Sequence, residues 1–327
     1  MLSCDRIAMT NKVVKVKRIV VDMTRNIGGI KMEKKTGKGK SYFLSVLPML
    51  CMLILQALAG FIWSIIGSAV YMAGAISDGQ TDVMNNMELY QQGALDFVMQ
   101  YILYAVIAAQ VLTLLGAGIW YGILVKKQNI NRSIKECTNI RTIGMCACLG
   151  IGLQLVIGFF MQIAGNLFPD AMANYAELIQ SVGIGETTMI SMFATVVLAP
   201  VSEEIIFRGI TLGFLKKAGV RFMVANVIQA LFFGISHMNL VQGLYAFILG
   251  LVLGLVAEKC KSVFLPIILH FVINLSGTLL DALPIHLDSW IVWGILFLLG
   301  GLSMAAGFLL LRKEQETECE PSLLKEG

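Results

Sequence analysis

Charge is what this 327-residue sequence has least of for its size: Asp, Glu, Lys and Arg together make up 14% of it. A soluble domain carries about 25%, because its whole surface is hydrated. The deficit excludes an ordinary soluble enzyme and a disordered chain. A net charge of only +4, gathered into a few short segments, excludes a nucleic-acid-binding module. Histidine is scarcer still: there are three, and no H-E-x-x-H pair, the helical zinc signature. The strict alternation over about ten residues that marks a membrane β-barrel strand is missing too.

Apolar residues are abundant, at 57%, with a mean hydropathy of +0.77. About 20 apolar residues cross a bilayer core as a helix, and eight runs qualify, near 42–76, 97–125, 142–168, 187–214, 222–238, 241–257, 262–280 and 289–311. The first is long enough to be tilted or broken, with Pro48 near its start, and the fifth and sixth are short, separated by Asn239 and Gln242. The expected fold is an all-α polytopic transmembrane bundle of about eight spans.

Lys and Arg mark the cytoplasmic side. Eleven lie before residue 41; others are Lys126, Lys127, Arg132, Lys135, Arg141, Lys216, Lys217, Arg221, Lys259, Lys261, Arg312 and Lys313. The intervening loops hold acids instead, among them Asp78, Asp82, Glu88, Asp96, Asp170, Glu177, Glu186, Asp281 and Asp288. The alternation is unbroken over eight spans and puts both termini in the cytoplasm. All seven cysteines fall in spans or on the basic side, so no extracellular disulfide framework is expected. Cys146 and Cys148 point about 200° apart on a helix and read as interface filler rather than a metal pair.

Four segments follow: a basic N-terminal tail (1–41), accessory helices and loops (42–186), a core (187–281), and a last helix with a cytoplasmic tail (282–327). The tail has no small-residue cleavage site after a short apolar core, unlike a secretory signal. Its Asn11–Asp22 stretch alternates Val and Lys but reads as a solvated basic tail, with Met32 an alternative start. The final Leu-Lys-Glu-Gly is not a C-a-a-X signal.

Within the eight runs only Glu203, Glu204 and Arg208 are formally charged, all on the fourth; His237 and His270 lie on the fifth and seventh. A lone polar group in a membrane helix is often packing glue, but ionisable residues there are costly and mark function. Depth supports a common site. At 1.5 Å per residue Glu203 is about 21 Å from Lys217, His237 about 24 Å from Arg221, and Asn274 about 20 Å from Lys261.

Glu204 and Arg208 are spaced i,i+4 with the acid first, the favoured order for an ion pair, so they are expected to be structural. Glu203 points about 100° away and has no partner on its own helix, which suits a general base. His270 and Asn274, again i,i+4, share a face and can both donate toward a developing oxyanion. His237 shares a face with Phe233, an apolar support. Pro200 removes a backbone hydrogen bond just before Glu203 and is expected to open the fourth helix.

Ala199-Pro200-Val201-Ser202-Glu203-Glu204-Ile205-Ile206-Phe207-Arg208-Gly209 resembles the E-E-x-x-x-R motif of the CPBP family, which comprises type II CAAX prenyl endoproteases and the Abi, bacteriocin-processing or immunity proteins. Phe233 to His237 is similar to its F-x-x-x-H motif and His270 to Asn274 to its H-x-x-x-N motif. The likeness covers about residues 187–280. It implies an intramembrane endopeptidase in which Glu203 and His237 activate water, His270 and Asn274 hold the oxyanion, and Glu204 and Arg208 order the site. The family is conventionally grouped with metalloendopeptidases. Glu203, His237 and His270 would be the zinc ligands, a His₂Glu set. A ligated Glu203 is no longer a free base, however, so no obligatory cofactor is expected and zinc is the alternative.

Two other readings compete. A transporter or proton relay also uses midplane Glu and His, but predicts broken helices in both halves, and the first half has no ionisable residue in its spans. A catalytically silent immunity or scaffold protein would have the same fold, and the intact site argues against it. The expected partners are the lipid bilayer and a membrane-associated, prenylated or leader-type peptide, with no nucleic acid. The expected location is a prokaryotic plasma membrane.

Overall fold

The computed structural model describes residues 37–128, 137–181, 183, 188–281 and 289–324. Asn11–Asp22, Met32 and part of the basic loop after Lys127 lie outside the described residues. Every described element is a helix, and among the described residues there is no strand. The order is α1 (Lys38–Ser77), α2 (Thr81–Asn85), α3 (Met87–Gln100), α4 (Ile102–Gln128), α5 (Ile140–Leu167), α6 (Pro169–Ser181), a composite α7 from Met189 to Lys217, α8 (Phe222–Ile235), α9 (Leu240–Cys260), α10 (Phe264–Asp281) and α11 (Trp290–Leu324).

Seven of these are long and apolar enough to cross a membrane: α1, α4, α5, α7, α9, α10 and α11. The fifth expected span is the exception. Helix α8 has 14 residues, about 21 Å, and falls short of a full crossing. It ends because Ser236 and His237 form a turn, Met238 takes a positive φ of 52°, and the Asn239 side chain caps α9 by accepting from Gln242 N. Helix α9 is correspondingly longer than its run suggested. The second run also begins later than expected: Tyr101 separates α3 from α4. Helix α1 continues through Pro48 without a break.

The sequence of α7 determines its irregularity. Ala199–Glu204 is α-helical but is preceded by a π-helical stretch, Phe193–Leu198, and followed by another, Ile205–Thr211. Such wider turns are rare and concentrate at functional sites. Pro200 is the local cause of the first: it has no N–H to give.

The core lies where α7 meets α5, α8, α9 and α10. It includes Met145, Leu149, Leu153, Ile206, Phe207, Ile210, Phe233, Leu253, Leu265 and Leu269. Helices α8 and α9 pack closely because small residues face each other. A Cβ on Gly234 would come within 2.6 Å of the Gly243 carbonyl oxygen, the small-residue contact typical of membrane helices. Elsewhere large apolar side chains such as Phe61, Ile119 and Leu302 face outward, as a lipid-facing surface requires. Helix α6 turns Met172, Tyr175 and Ile179 inward and leaves Asp170 and Glu177 exposed.

Candidate active site

The site is assembled around one ring. Phe233, 1% exposed, carries the Arg208 guanidinium over its face at 4.5 Å. His237 and His270 meet it edge-on, with centroid distances of 5.0 and 5.7 Å. Three of the polar residues singled out from sequence therefore touch the same aromatic side chain. Cation–π contact of this buried kind contributes about 2 kcal/mol.

Glu204 is fully buried. Its Oε1 accepts from Arg208 Nη1 at 2.8 Å and from His270 Nδ1 at 2.9 Å. The i,i+4 pairing expected from sequence is present, and His270 joins it as a third member. Arg208 reaches further, donating from Nη2 to the Gly250 carbonyl at 3.3 Å. That carbonyl also accepts from Gln229 Nε2 at 2.9 Å, and Gln229 donates to Asn226 Oδ1 at 2.8 Å. Asn226 in turn donates to the Leu251 carbonyl. A Cβ on Gly254 would lie 1.9 Å from Asn226 Oδ1, so this network depends on glycine there. Sequence reasoning passed over Asn226 and Gln229. The available signal was two amides within an apolar run.

Glu203 differs from its neighbour. Its side chain is 19% exposed, and its Oε2 stands 3.8 Å from His270 Nε2, beyond hydrogen-bond distance. His270 thus bonds Glu204 through Nδ1 and has its Nε2 on the side of Glu203. His237 Nδ1 lies 2.8 Å from the Phe233 carbonyl oxygen. A carbonyl only accepts, so Nδ1 carries a proton, which leaves Nε2 as the ring nitrogen that faces a ligand.

Asn274 departs from expectation. Its Nδ2 donates to the Thr195 carbonyl at 2.8 Å, a bond to the first π-helical stretch of α7. One amide hydrogen is therefore committed to structure and the second remains for a ligand. Among the described residues no group of three His, Cys, Asp or Glu side chains is placed to hold an ion.

The Tyr175 hydroxyl, on α6, lies 3.0 Å from the Tyr245 hydroxyl on α9. Burial raises the Tyr175 phenol above its ordinary value, with the Tyr245 hydrogen bond acting the other way. Cys146 lies in the core with its thiol 3.5 Å from the Leu265 carbonyl oxygen, while Cys148 is half-buried.

Fold and site together define a polytopic helical membrane protein with an ionisable cluster enclosed among its helices. Residues 185–276, the stretch holding all three motifs, match the family described as Rce1-like, type II CAAX prenyl endopeptidase. A Bacillus subtilis (strain 168) protein named "Putative membrane peptidase YdiL" is 25% identical over 147 residues, which are 42% of this chain and 60% of that protein. Both matches support the CPBP resemblance carried by the motifs. No solved structure matches the chain.

Proposed function

We propose that the protein is an intramembrane endopeptidase using glutamate-activated water. The observation that carries this reading is the contrast between adjacent carboxylates: Glu204 is fully buried with its Oε1 held by both Arg208 and His270, while Glu203 is partly exposed with His270 Nε2 3.8 Å away. Water held by Glu203, with His237 Nε2 as a second acceptor, gives up a proton as its oxygen bonds to the scissile carbonyl carbon. The tetrahedral oxyanion then takes hydrogen bonds from the second N–H of Asn274 and from a protonated His270 Nε2. On collapse the C–N bond breaks, and the proton taken from water passes to the leaving amine. Glu204 and Arg208 hold His270 in place.

No obligatory metal enters this scheme. The substrate is a membrane-associated peptide, of leader or prenylated type, and the enzyme lies in a prokaryotic plasma membrane with both termini cytoplasmic. The sequence segment 187–281 is its catalytic core. Peptide-library profiling of the purified wild type beside Glu203→Gln tests the reading: cleavage by the first and not the second is expected, and equal activity would overturn it.

A further inference from the structure

Three helices meet at one backbone oxygen. The Gly250 carbonyl of α9 accepts from Arg208 Nη2 of α7 at 3.3 Å and from Gln229 Nε2 of α8 at 2.9 Å. One residue along, the Leu251 carbonyl accepts from Asn226 Nδ2 at 3.0 Å, and Asn226 Oδ1 holds the Gln229 amide. Consecutive carbonyls of α9 are thus gripped by two amides one turn apart on α8, which fixes the register of the two helices. Glycine makes the grip possible. A Cβ on Gly250 would stand 2.9 Å from that of Ala230, and one on Gly254 would stand 2.6 Å from Gln229 Nε2. This seam of small residues is what brings the carbonyls within reach of the amides.

Gln229 is linked to the proposed site by two routes. The first runs through hydrogen bonds: the Gly250 carbonyl to Arg208, Arg208 to Glu204, and Glu204 to His270 Nδ1. The second runs along α8, where Gln229, Phe233 and His237 recur every four residues toward one face. His237 is tied to that face by its Nδ1 and the Phe233 carbonyl, and the Phe233 ring touches Arg208, His237 and His270. Gln229 is fully buried, and a buried amide is costly where an apolar side chain would pack. Asn226 already ties α8 to α9; what Gln229 adds is a bond to the carbonyl that Arg208 uses.

We propose that Gln229 is a positioning residue for the reaction, a role that rests on the hydrolytic reading above. Through the Gly250 carbonyl it fixes Arg208 and with it His270; through α8 it fixes Phe233 and with it His237. Both histidines of the site are thereby held against one substrate carbonyl by an amide that touches neither of them.

The test uses the full-length protein in detergent micelles, with a quenched fluorogenic peptide chosen from a library by wild-type cleavage. Turnover is read per folded molecule, well below each variant's thermal midpoint. Gln229→Met keeps the length of the side chain and removes the amide. It should lower kcat by at least about tenfold, on a scale where a misplacement of about 1 Å far from the chemistry costs about 100-fold, with KM changed less than about twofold. A second readout does not depend on activity. The chain has only three histidines, so carbon-13 labelling at histidine Cε1 gives a simple spectrum, assigned with His237→Ala and His270→Ala. Gln229→Met should displace the signals of both His237 and His270.

An amide that only glues α8 to α9 would lower the thermal midpoint, leave kcat within about twofold of wild type and leave both signals in place; that result overturns the proposal. Asn226→Ala removes the acceptor that holds the Gln229 amide and leaves Gln229 itself. It should lower kcat by about threefold and displace the same two signals, and the double variant should be no worse than Gln229→Met, because both act through one amide. Should Gln229→Met fail to fold, Asn226→Ala decides: unchanged kcat and unchanged signals overturn the proposal. An unaffected Gln229→Met beside an inactive Glu203→Gln overturns this role alone and leaves the hydrolase reading standing. An active Glu203→Gln removes the hydrolase reading, and the proposal with it.

Discussion

Asn274 Nδ2 donates to the Thr195 carbonyl oxygen at 2.8 Å across 79 residues of sequence. In the π-helical stretch each carbonyl finds its donor five residues ahead, as Ala194 does with the N–H of Ala199. The donor due to Thr195 would be residue 200, a proline without an N–H. Asn274 supplies the hydrogen bond that Pro200 cannot, and so couples the helix of Glu203 to the helix of His270.

Asn274→Leu should therefore destabilise the protein by about 1–3 kcal/mol, the cost of leaving a buried polar group unpaired. Pro200→Ala restores an N–H on α7 itself. The double variant Asn274→Leu/Pro200→Ala should recover part of the loss in detergent thermal unfolding. A strictly additive double variant would show that the two residues do not share this carbonyl.

Glu204→Gln should reduce both membrane yield and activity. It leaves the buried Arg208 without its counter-charge, a loss of about 3–5 kcal/mol. A compensating pair, Glu204→Gln with Arg208→Met, should regain yield but not activity, because His270 loses its anionic anchor as well. Yield is read by fluorescence-detected size exclusion, and normal yield for Glu204→Gln alone would contradict the energetics.

Glu203→Gln and His237→Ala should behave differently from that pair. Glu203 is partly exposed and makes no hydrogen bond to Arg208 in the site, so its amide should fold. The loss should appear in turnover, by at least about 100-fold, as for removal of a general base. Near-wild-type kcat for Glu203→Gln in a defined peptide assay would falsify the assignment.

How much of this was legible in sequence follows from where each signal resides. Glu203, Glu204, Arg208, His237 and His270 announced themselves because charge is costly in apolar helices, and the structure brings three of them, Arg208, His237 and His270, against Phe233. The Glu204–Arg208 pair followed from spacing alone. The first π-helical stretch did not, since it depends on Pro200 together with an amide from a distant helix. The brevity of α8 was hidden because His237 and Met238 continue the apolar run through a turn set by Met238's positive φ.

Topology offers an independent check on the basic-side argument. A reporter fused after Lys127 or Lys217 should be cytoplasmic, and one placed within 77–96 or 169–181 should be external. Helix α8 is short, but α8 together with its turn must still return the chain for Lys259 and Lys261 to lie on the same side as Lys216. Ion pairs from Glu258 to both Lys216 and Lys261 already bring those ends together. An external reporter at Lys217 would overturn the orientation and the depth argument.

The metal question is open to a direct measurement. With Glu203 as a free base, prolonged chelation should leave most of the peptidase activity, and the purified protein should hold well under one zinc per chain. Each histidine commits one ring nitrogen, His237 to the Phe233 carbonyl and His270 to Glu204, an arrangement that also suits a metal ligand, so only the measurement separates the two chemistries. The remaining nitrogens and the Asn274 amide can serve water and oxyanion by hydrogen bonds alone, each strengthened where water is excluded. His237→Cys separates the two chemistries: thiolate is a good zinc ligand and would retain metal, whereas a water-orienting imidazole replaced by thiol should leave the enzyme inactive and metal-free. Stoichiometric zinc, lost with activity on chelation and restored with it on re-addition, would decide for the His₂Glu centre and against glutamate acting alone.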